Sequence, residues 1–303
     1  MTFNQSCYGL RAKECTFNDF LYYIVKHSIY KLKSQTHGSV FDTITKETFN
    51  NIDILLPSID EQKKISSILS SIDDKIELNS RINKNLMNIV ISKFKNDIWC
   101  LGKNGSIGDY CSIKSGYPFK SSWWTNEGVK VIRIGDIYQD ELNLNSCACV
   151  DNNNLSKCSD FRVNFGDVVI AMTGATIGKF SLVSTFSDVY VNQRVGKFYL
   201  GENPIKKLPF IYCTLKMKEV FEDIVNKGQG SAQPNISSND LENINCVIPN
   251  IKIIDDFNNY ASPIFYKIII NQIENNTLSK TRDLLLPKLL SGELDVSNVS
   301  LDV

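Results

Sequence analysis

The fold is decided by a stretch of sequence that occurs twice, first as THGSVFDTITKETFNNIDILLP at residues 36–57 and again as GQGSAQPNISSNDLENINCVIP at residues 228–249. Residues of the two copies match at a constant spacing of 192 positions: Gly38 and Gly230, Ile44 and Ile236, Asn51 and Asn243, Pro57 and Pro249. Self-similarity at a fixed spacing marks a structural unit that the chain uses more than once. We therefore expect two copies of one unit.

The similarity extends to both sides of this stretch. Upstream, Phe20-Leu-Tyr-Tyr resembles Phe210-Ile-Tyr-Cys, and Asn4-Gln5 resembles Asn192-Gln193. Downstream, apolar residues keep the spacing of 192: Ile65 with Phe257, Ile68 with Tyr260, Ile72 with Ile264, Ile76 with Ile268, Leu86 with Leu278. Residues 103 to about 190 have no counterpart. The expectation is that the first copy begins midway through the unit, at Met1.

A long amphipathic helix should follow each copy. Ser58 and Glu61 form the pattern of a capping box, and apolar residues then recur at helical spacing, which predicts a helix within 58–102. Asn250 is a plausible cap for a second helix over 250–292. Prolines at positions 263 and 287 predict a local kink or interruption in that helix.

Helices of this length with one apolar stripe require a partner helix, and the repeat copy is the obvious one. Copies related by a near two-fold axis would run antiparallel. Asn79 and Asn271 occupy equivalent positions near the helix centres and interrupt both stripes. One interpretation is that they meet at the crossing and set the register of the pair, as a buried asparagine does in coiled coils. The other is that both face water.

The segment between the helices reads as mixed strand and helix. Strand-like runs cover residues 129–134, 165–171, 189–195 and 197–200, and residues 208–226 read as helical. The predicted fold class is α+β, with mixed-strand globular domains joined by two long antiparallel coiled-coil helices. The predicted boundaries are 1–57 for the rear half of a first globular domain, 58–102 for the first helix, 103–249 for a second domain, 250–292 for the second helix and 293–303 for a tail.

Composition limits the classes of function. The 303 residues carry 33 basic and 33 acidic side chains, so DNA binding would need a local basic face. Nine cysteines without a C-x-x-C pair and two histidines predict no zinc site, and unpaired thiols fit a reducing cytosol. We expect no signal peptide, no membrane-spanning helix, and neither a cofactor nor a metal.

Several runs resemble the target-recognition domain of type I restriction–modification specificity subunits. These runs are Ile113–Lys120, Val131–Ile137, Phe165–Gly178 and Gly230–Ser237, followed by an Asn-Ile pair and Pro249. Asp60-Glu61-Gln62 resembles the Glu-Gln start of the family's conserved helix, whereas the second helix departs there with Ile253-Ile254. Residues 284–294, LLLPKLLSGEL, resemble the end of the family's second conserved helix. The order of these motifs, together with the repeat, makes the resemblance specific.

The resemblance implies a plan in which two target-recognition domains each read half of a split double-stranded DNA target. The two helices hold the domains apart and dock modification (adenine methyltransferase) subunits, and restriction (ATP-dependent endonuclease) subunits join through the complex. A first domain without its front half puts independent reading of a two-part site in doubt. Self-association of two chains is one way to complete that domain.

Polar and cationic residues in predicted turns are the candidates for DNA contact, because Lys and Arg anchor phosphates and Arg, Asn and Gln read base edges. The candidates are Lys114, Ser115, Tyr117, Lys120, Arg133, Thr173, Lys179, Arg194, Lys227, Gln229, Ser231, Gln233 and Asn235. For Trp123-Trp124, packing in the core is favoured over stacking on DNA.

Two partial motifs have structural interpretations. Gly174–Phe180 is one residue short of a phosphate loop and ends in Phe, so a turn near the DNA face is favoured. Asp53 with Glu61 and Lys63 is only a faint nuclease pattern, and it falls on a strand end and a helix cap. No methyltransferase motif such as Asn-Pro-Pro-Tyr occurs, so no catalytic residue is predicted.

Three functions from different classes follow. The first is a non-catalytic DNA-recognition subunit that directs methylation and cleavage by its partners. The second is an assembly subunit that docks modification subunits without reading DNA productively. The third is a stand-alone nuclease or methyltransferase, which turnover by the purified chain would reveal.

Overall fold

The computed structural model describes residues 7–35, 50, 53–228 and 234–299. The chain forms two compact units, one made of Met1–Asn79 with Glu274–Val303 and the other of Ser80–Ile273. Most of the first copy of the repeated stretch lies outside the described residues, as do Asn4 and Gln5.

Within the described residues the helices are α1 (Asn18–Gln35), α2 (Ile59–Asp97), α3 (Leu208–Leu215), α4 (Lys218–Gly228), α5 (Ser238–Glu242) and α6 (Ile251–Leu290). The expected helical stretch 208–226 is two helices, because the chain turns at Lys216 and Met217. The long helices α2 and α6 each contribute residues to both units.

The sequence signals at the starts of the long helices have the expected geometry. At α2, the Ser58 backbone N–H donates to Glu61 Oε2 at 2.9 Å, and the Glu61 backbone N–H donates to Ser58 Oγ at 3.3 Å. At α6, Asn250 Oδ1 accepts from the backbone N–H of Lys252 at 2.9 Å. These caps satisfy N–H groups that have no partner within the helix.

The sequence predicts a kink or an interruption at each proline of the second helix; the interruption is wrong, because α6 continues through Pro263 and Pro287. A proline removes one backbone hydrogen bond from a helix. Ala261 and Phe265 on either side of Pro263 are fully buried, and we attribute the continuity of the helix to this packing. Gly292, in the left-handed region at φ +76°, follows the end of the helix as expected.

The unit Ser80–Ile273 contains the strands in two sheets and two short pairs. The strands are β1 (Gly105–Ser106), β2 (Ser112–Ser115), β3 (Trp124–Thr125), β4 (Val129–Ile132), β5 (Ile137–Tyr138), β6 (Glu141–Leu142), β7 (Ala148–Val150), β8 (Arg162–Val163), β9 (Val168–Ala171), β10 (Phe180–Leu182), β11 (Val189–Val191), β12 (Val195–Tyr199) and β13 (Asn245–Cys246). One sheet has the order β10-β9-β12-β2 and the other β3-β7-β4-β11-β8, where β4 and β11 are parallel and the other pairs antiparallel. β1 pairs with β13, and β5 with β6.

The four-stranded sheet has a hydrophobic core on each face, since side chains alternate along its strands. Ile170 and Phe198 join the larger core, which also contains Phe94 of α2, Phe210 of α3 and Phe257 of α6. Val169, Ala171 and Val195 point into the second core, where they join Ile132 and Val191 of the five-stranded sheet. The second half of α2 and the first half of α6, which belong to this unit, therefore contribute to its globular core.

The other unit packs α1 against α2 and α6. Its core includes Phe20, Tyr23, Ile65, Leu69, Leu286 and Leu289. Gln62 is fully buried: its Nε2 donates to the backbone oxygens of Cys15 and Pro57, and its Oε1 accepts from the Phe17 N–H. Glu61 and Gln62 thus have structural roles, as the sequence interpretation of this segment required.

A second polar contact in this unit joins the three helices. Asp73 accepts hydrogen bonds from the Arg282 guanidinium at 2.6 Å and the Tyr23 hydroxyl at 3.0 Å. Burial raises the pKa of Asp73, but the bonds from Arg282 and Tyr23 and the nearby charge of Lys26 outweigh it, so the pKa lies below the ordinary value.

Asparagines join the long helices within each unit. In one unit, Asn79 Nδ2 donates to Asn275 Oδ1 at 3.0 Å, and Asn275 Nδ2 donates to the Ile76 oxygen at 3.2 Å. In the other, Asn271 Nδ2 donates to Asn83 Oδ1 at 2.7 Å, and Asn83 Nδ2 donates to the Ile268 oxygen at 3.1 Å. The two arrangements are equivalent at the repeat spacing of 192, and in each the helices run antiparallel.

Two expectations about Asn79 and Asn271 are corrected by this geometry. Both side chains are buried, at 2% and 0% exposure, so they do not face water. Asn79 and Asn271 do not bond each other: Asn271 bonds Asn83, and Asn79 bonds Asn275 and also Glu274 Oε2 at 2.9 Å. The expected fold class, with mixed strands and two long antiparallel helices, is confirmed.

The first copy of the repeat exposes apolar residues whose counterparts in the second copy are buried. Tyr22, Ile54 and Leu55 are 56%, 50% and 59% exposed. Their counterparts Tyr212, Cys246 and Val247 are each 1% exposed. Exposed apolar side chains of this kind are what the self-association hypothesis requires.

Candidate nucleic-acid interface

A tight turn connects the two sheets of the globular unit. Strand β11 of the five-stranded sheet ends at Val191, and β12 of the four-stranded sheet begins at Val195. The Val195 N–H donates to the Asn192 oxygen at 2.8 Å, which makes Gln193 and Arg194 the central residues of a β-turn. Both central side chains are exposed.

Neighbouring segments meet at this turn. The Asn192 N–H donates to the Ile132 oxygen, so Arg133 follows directly beside the turn. The Gln193 N–H donates to the Tyr117 oxygen, and the Arg194 oxygen accepts from the Met172 N–H, both at 3.0 Å. Thr173 forms an isolated bridge with Asn235. We call the surface formed by these segments the loop edge; its residues are Tyr117, Arg133, Thr173, Lys179, Gln193, Arg194 and Asn235.

Gly116 permits the close approach of these segments. A Cβ atom on this residue would lie 2.2 Å from the Val191 oxygen and 2.3 Å from the Asn192 oxygen. No real side chain tolerates such distances to backbone atoms, so the position next to Tyr117 requires glycine.

The turn between β9 and β10 adds to the loop edge. Gly174–Thr176 form one turn of 3-10 helix, and the Ala171 N–H donates to the Lys179 oxygen at 2.8 Å. This is the turn that the phosphate-loop-like sequence was expected to form. The Thr173 Oγ1 is buried and has no hydrogen-bond partner within the described part of the chain.

The candidate cations differ in the hydrogen bonds and ion pairs that their side chains form. Among the described residues, no hydrogen bond or ion pair holds the side chains of Lys179 and Arg194. Arg133 lies 3.7 Å from Asp136 but keeps 49% of its side chain exposed. Lys227 donates to the Asn243 oxygen at 2.9 Å and lies 3.5 Å from the Asp240 oxygen, so it caps the end of α5. Its predicted contact with DNA competes with this structural role.

Other candidates take part in aromatic contacts. Tyr117 stacks on Trp123, with ring centres 5.8 Å apart and an angle of 6° between the planes. Trp123 is 9% exposed, consistent with packing in the core. The ammonium groups of Lys114 and Lys120 lie over the rings of Tyr199 and Trp123.

Five further candidates for DNA contact remain, of which Ser115 and Asn235 lie within the described residues. Ser115 Oγ lies 3.0 Å from Ser238 Oγ, which ties β2 to α5. Asn235 is exposed and its backbone N–H donates to the Gly228 oxygen. Gln229, Ser231 and Gln233 lie outside the described residues.

Lys197, another cation of this sheet, is engaged elsewhere. Its Nζ lies 3.2 Å from Asp167 Oδ2, and both side chains are largely buried. Burial raises the pKa of Asp167, and the opposing charge of Lys197 only partly offsets that effect. Lys197 therefore forms an ion pair with the residue that precedes β9 and is not among the unengaged cations.

Sequence reasoning missed Gln193. The signal for it was the similarity between Asn192-Gln193 and Asn4-Gln5, which was used only to establish the repeat.

No metal centre is found by geometry within residues 7–35, 53–228 and 234–299, since no three His, Cys, Asp or Glu side chains gather there in a suitable arrangement. Over the same ranges, no helix has the length and apolar character needed to cross a bilayer.

Known proteins are similar to this chain over most of its length. A family model described as "Type I restriction modification DNA specificity domain" matches residues 1–88 and 101–280. The specificity subunit of the type I restriction enzyme MjaIX of Methanocaldococcus jannaschii is 27% identical over 335 aligned residues, covering 99% of this chain and 74% of that one. The MjaVIII specificity subunit of the same organism is also 27% identical and covers 93% of this chain and 71% of its own.

A solved structure shares the fold. The crystal structure of a type I restriction-modification system S subunit from M. genitalium superposes with a TM-score of 0.55 at 16% identity, covering 92% of this chain and 74% of that one. At this identity the likeness concerns the fold alone.

Proposed function

Because the chain belongs to the family of type I restriction-modification DNA specificity domains, we propose that it recognises a double-stranded DNA sequence for such a system and performs no catalysis itself. The observation that carries this proposal is the loop edge, where turns from both sheets present exposed Gln193 and Arg194 beside Arg133 and Lys179. A neutral chain can bind DNA through such a local concentration of cations.

The residues of the loop edge and the candidates around it divide by chemistry. Lys179 and Arg133 supply positive charge for phosphates, which positions the duplex without reading it. Gln193, Arg194 and Asn235 carry groups that can contact base edges. Lys114 and Lys120 lie over aromatic rings and serve as peripheral anchors. Ser115 pairs with Gly196 next to the turn, and Thr173 follows Met172, which bonds the Arg194 oxygen, so both are suited to stabilise the turn.

The surfaces of the two long helices indicate the protein partners of the chain. Large apolar side chains stay exposed along both long helices: Leu78 and Ile89 on α2, and Tyr260, Tyr266 and Leu284 on α6. Exposed apolar side chains on long helices are suited to a protein partner. The helices at 58–102 and 250–292 dock modification subunits that methylate adenine, and restriction subunits join through them. Residues 103–249 form one target-recognition domain, residues 1–57 are part of another, and residues 293–303 are a tail.

The asparagines fix the register of the helix pair. A slip of one turn would break the bond between Asn79 and Asn275, and an amide of the buried Asn79 left without a partner would cost about 1–3 kcal/mol. The equivalent bond between Asn271 and Asn83 opposes the same slip in the other unit.

A double-mutant cycle tests this role. Asn79→Ala and Asn275→Ala should each lower the free energy of unfolding by about 1–3 kcal/mol, and the double variant should lose less than the sum because both substitutions break one bond. Urea denaturation measures the three values, with the exposed Asn259→Ala as the control on α6. Additive losses would contradict a shared bond.

Selection from a library of randomised DNA duplexes tests DNA recognition directly. The chain, purified with its modification subunit, should enrich one duplex sequence, and its affinity should fall steeply between about 50 and about 200 mM salt because counterions are released from the DNA. A stable complex that enriches no sequence would contradict recognition and favour an assembly role.

A further inference from the structure

We propose that Gln193 and Arg194 are an adjacent pair of base-reading residues, with Arg194 contacting a guanine and Gln193 contacting the adenine of a neighbouring base pair. This proposal rests on the proposed DNA recognition and adds the residues that determine part of the specificity. It concerns the turn between β11 and β12.

The backbone of this turn is held from several sides. The Asn192 N–H bonds the Ile132 oxygen, the Gln193 N–H bonds the Tyr117 oxygen, and the Val195 N–H closes the turn on Asn192. The Arg194 oxygen accepts from Met172. Segments from both sheets therefore fix the Cα positions of the two central residues. A rigid support of this kind keeps the entropic cost of binding low.

The side chains of the pair are the free part of the turn. Both are exposed, and no hydrogen bond or ion pair engages either of them among the described residues. Lys179 is equally unengaged, whereas three other cations of this unit are constrained: Arg133 lies near Asp136, Lys227 caps α5 and Lys197 pairs with Asp167. Arg194 therefore has its full set of donors available for a ligand.

The chemistry of the pair matches base edges. Guanidinium groups bond guanine O6 and N7 in a bidentate manner, and glutamine amides bond adenine N6 and N7 in the same way. Consecutive Cα atoms are about 3.8 Å apart, close to the rise of about 3.4 Å per base pair along DNA. Adjacent turn residues can thus address adjacent base pairs.

The first copy of the repeat carries a related triplet. Asn4-Gln5-Ser6 corresponds to Asn192-Gln193-Arg194, so the glutamine is retained and serine stands in place of arginine. This difference in sequence is expected if the two copies prefer the same base at one position and different bases at the next.

Selection from the randomised duplex library separates base reading from phosphate anchoring. Arg194→Lys keeps the positive charge but loses the planar bidentate fork. We expect this variant to keep the salt dependence of the wild type and to lose about 10-fold or more of its discrimination at one G·C position. Gln193→Ala should relax an adjacent A·T position. Arg162→Lys, on strand β8, is the matched control and should enrich the wild-type sequence.

The outcomes distinguish this inference from the function on which it rests. If the wild type enriches a sequence and Arg194→Lys enriches the same sequence with equal affinity, Arg194 is a phosphate anchor and the inference is overturned. If the wild type enriches no sequence, the proposed function fails and the inference falls with it. Both substitutions are at exposed positions, so thermal unfolding followed by circular dichroism should be unchanged.

Discussion

Phe94→Ala should lower the free energy of unfolding of the globular unit by about 3–5 kcal/mol, the range for truncation of a buried phenylalanine. Phe94 is fully buried, and its ring meets Phe257 and Phe210 edge-on at centroid distances of 5.4 and 5.9 Å. Trp99 stacks on it at 6.4 Å. The substitution would leave a cavity where α2, α3 and α6 meet in this unit.

Urea denaturation monitored by tryptophan fluorescence measures this loss, since Trp99 reports on the same core. The matched control is Phe186→Ala, because Phe186 is 65% exposed and stacks only on Phe165 among the described rings. The control should lose about 1 kcal/mol or less. Equal losses in the two variants would show that the end of α2 does not belong to the core of the globular unit.

Gly116→Ala should lower the free energy of unfolding by about 3 kcal/mol, at the upper end of the usual cost of overpacking. The new Cβ would overlap the backbone oxygens of Val191 and Asn192, which are not flexible side-chain ends. Relief requires the turn at Gln193 and Arg194 to move away from Tyr117. Selective DNA binding should therefore fall by more than the loss of stability alone explains.

The measurement is duplex binding at a temperature where the variant remains folded, together with its urea denaturation. Gly135→Ala is the matched control, because a Cβ at Gly135 would meet no atom within 4 Å. The control should bind as the wild type does. Wild-type affinity in Gly116→Ala would mean that the position of the turn is irrelevant to binding.

The long helices and their caps could be predicted because their determinants are local. Ser58, Glu61 and Asn250 act within three residues of their own positions, and the apolar period of the stripes is visible in the sequence. The partner of Asn79 could not be predicted, because equivalence between repeats does not tell which residues of two antiparallel helices face each other. That depends on where the helices cross.

The loop edge was only partly visible in the sequence for the same reason. The run from Val189 to Val195 alternates like one strand, which concealed the turn at Gln193 and Arg194. The structural role of Lys227 could not be predicted, because its partners, the backbone oxygens of Asp240 and Asn243, are identified only by the fold. The continuity of α6 through Pro263 could not be predicted, because the burial of Ala261 and Phe265 beside it depends on the fold.

The most direct test of sequence recognition is methylome sequencing of cells that carry this chain together with its modification subunit. If this chain recognises a DNA sequence, we expect new adenine methylation at one defined motif, absent from cells that carry the modification subunit alone. A chain that co-purifies with the modification subunit while the cells gain no motif-specific methylation would contradict it.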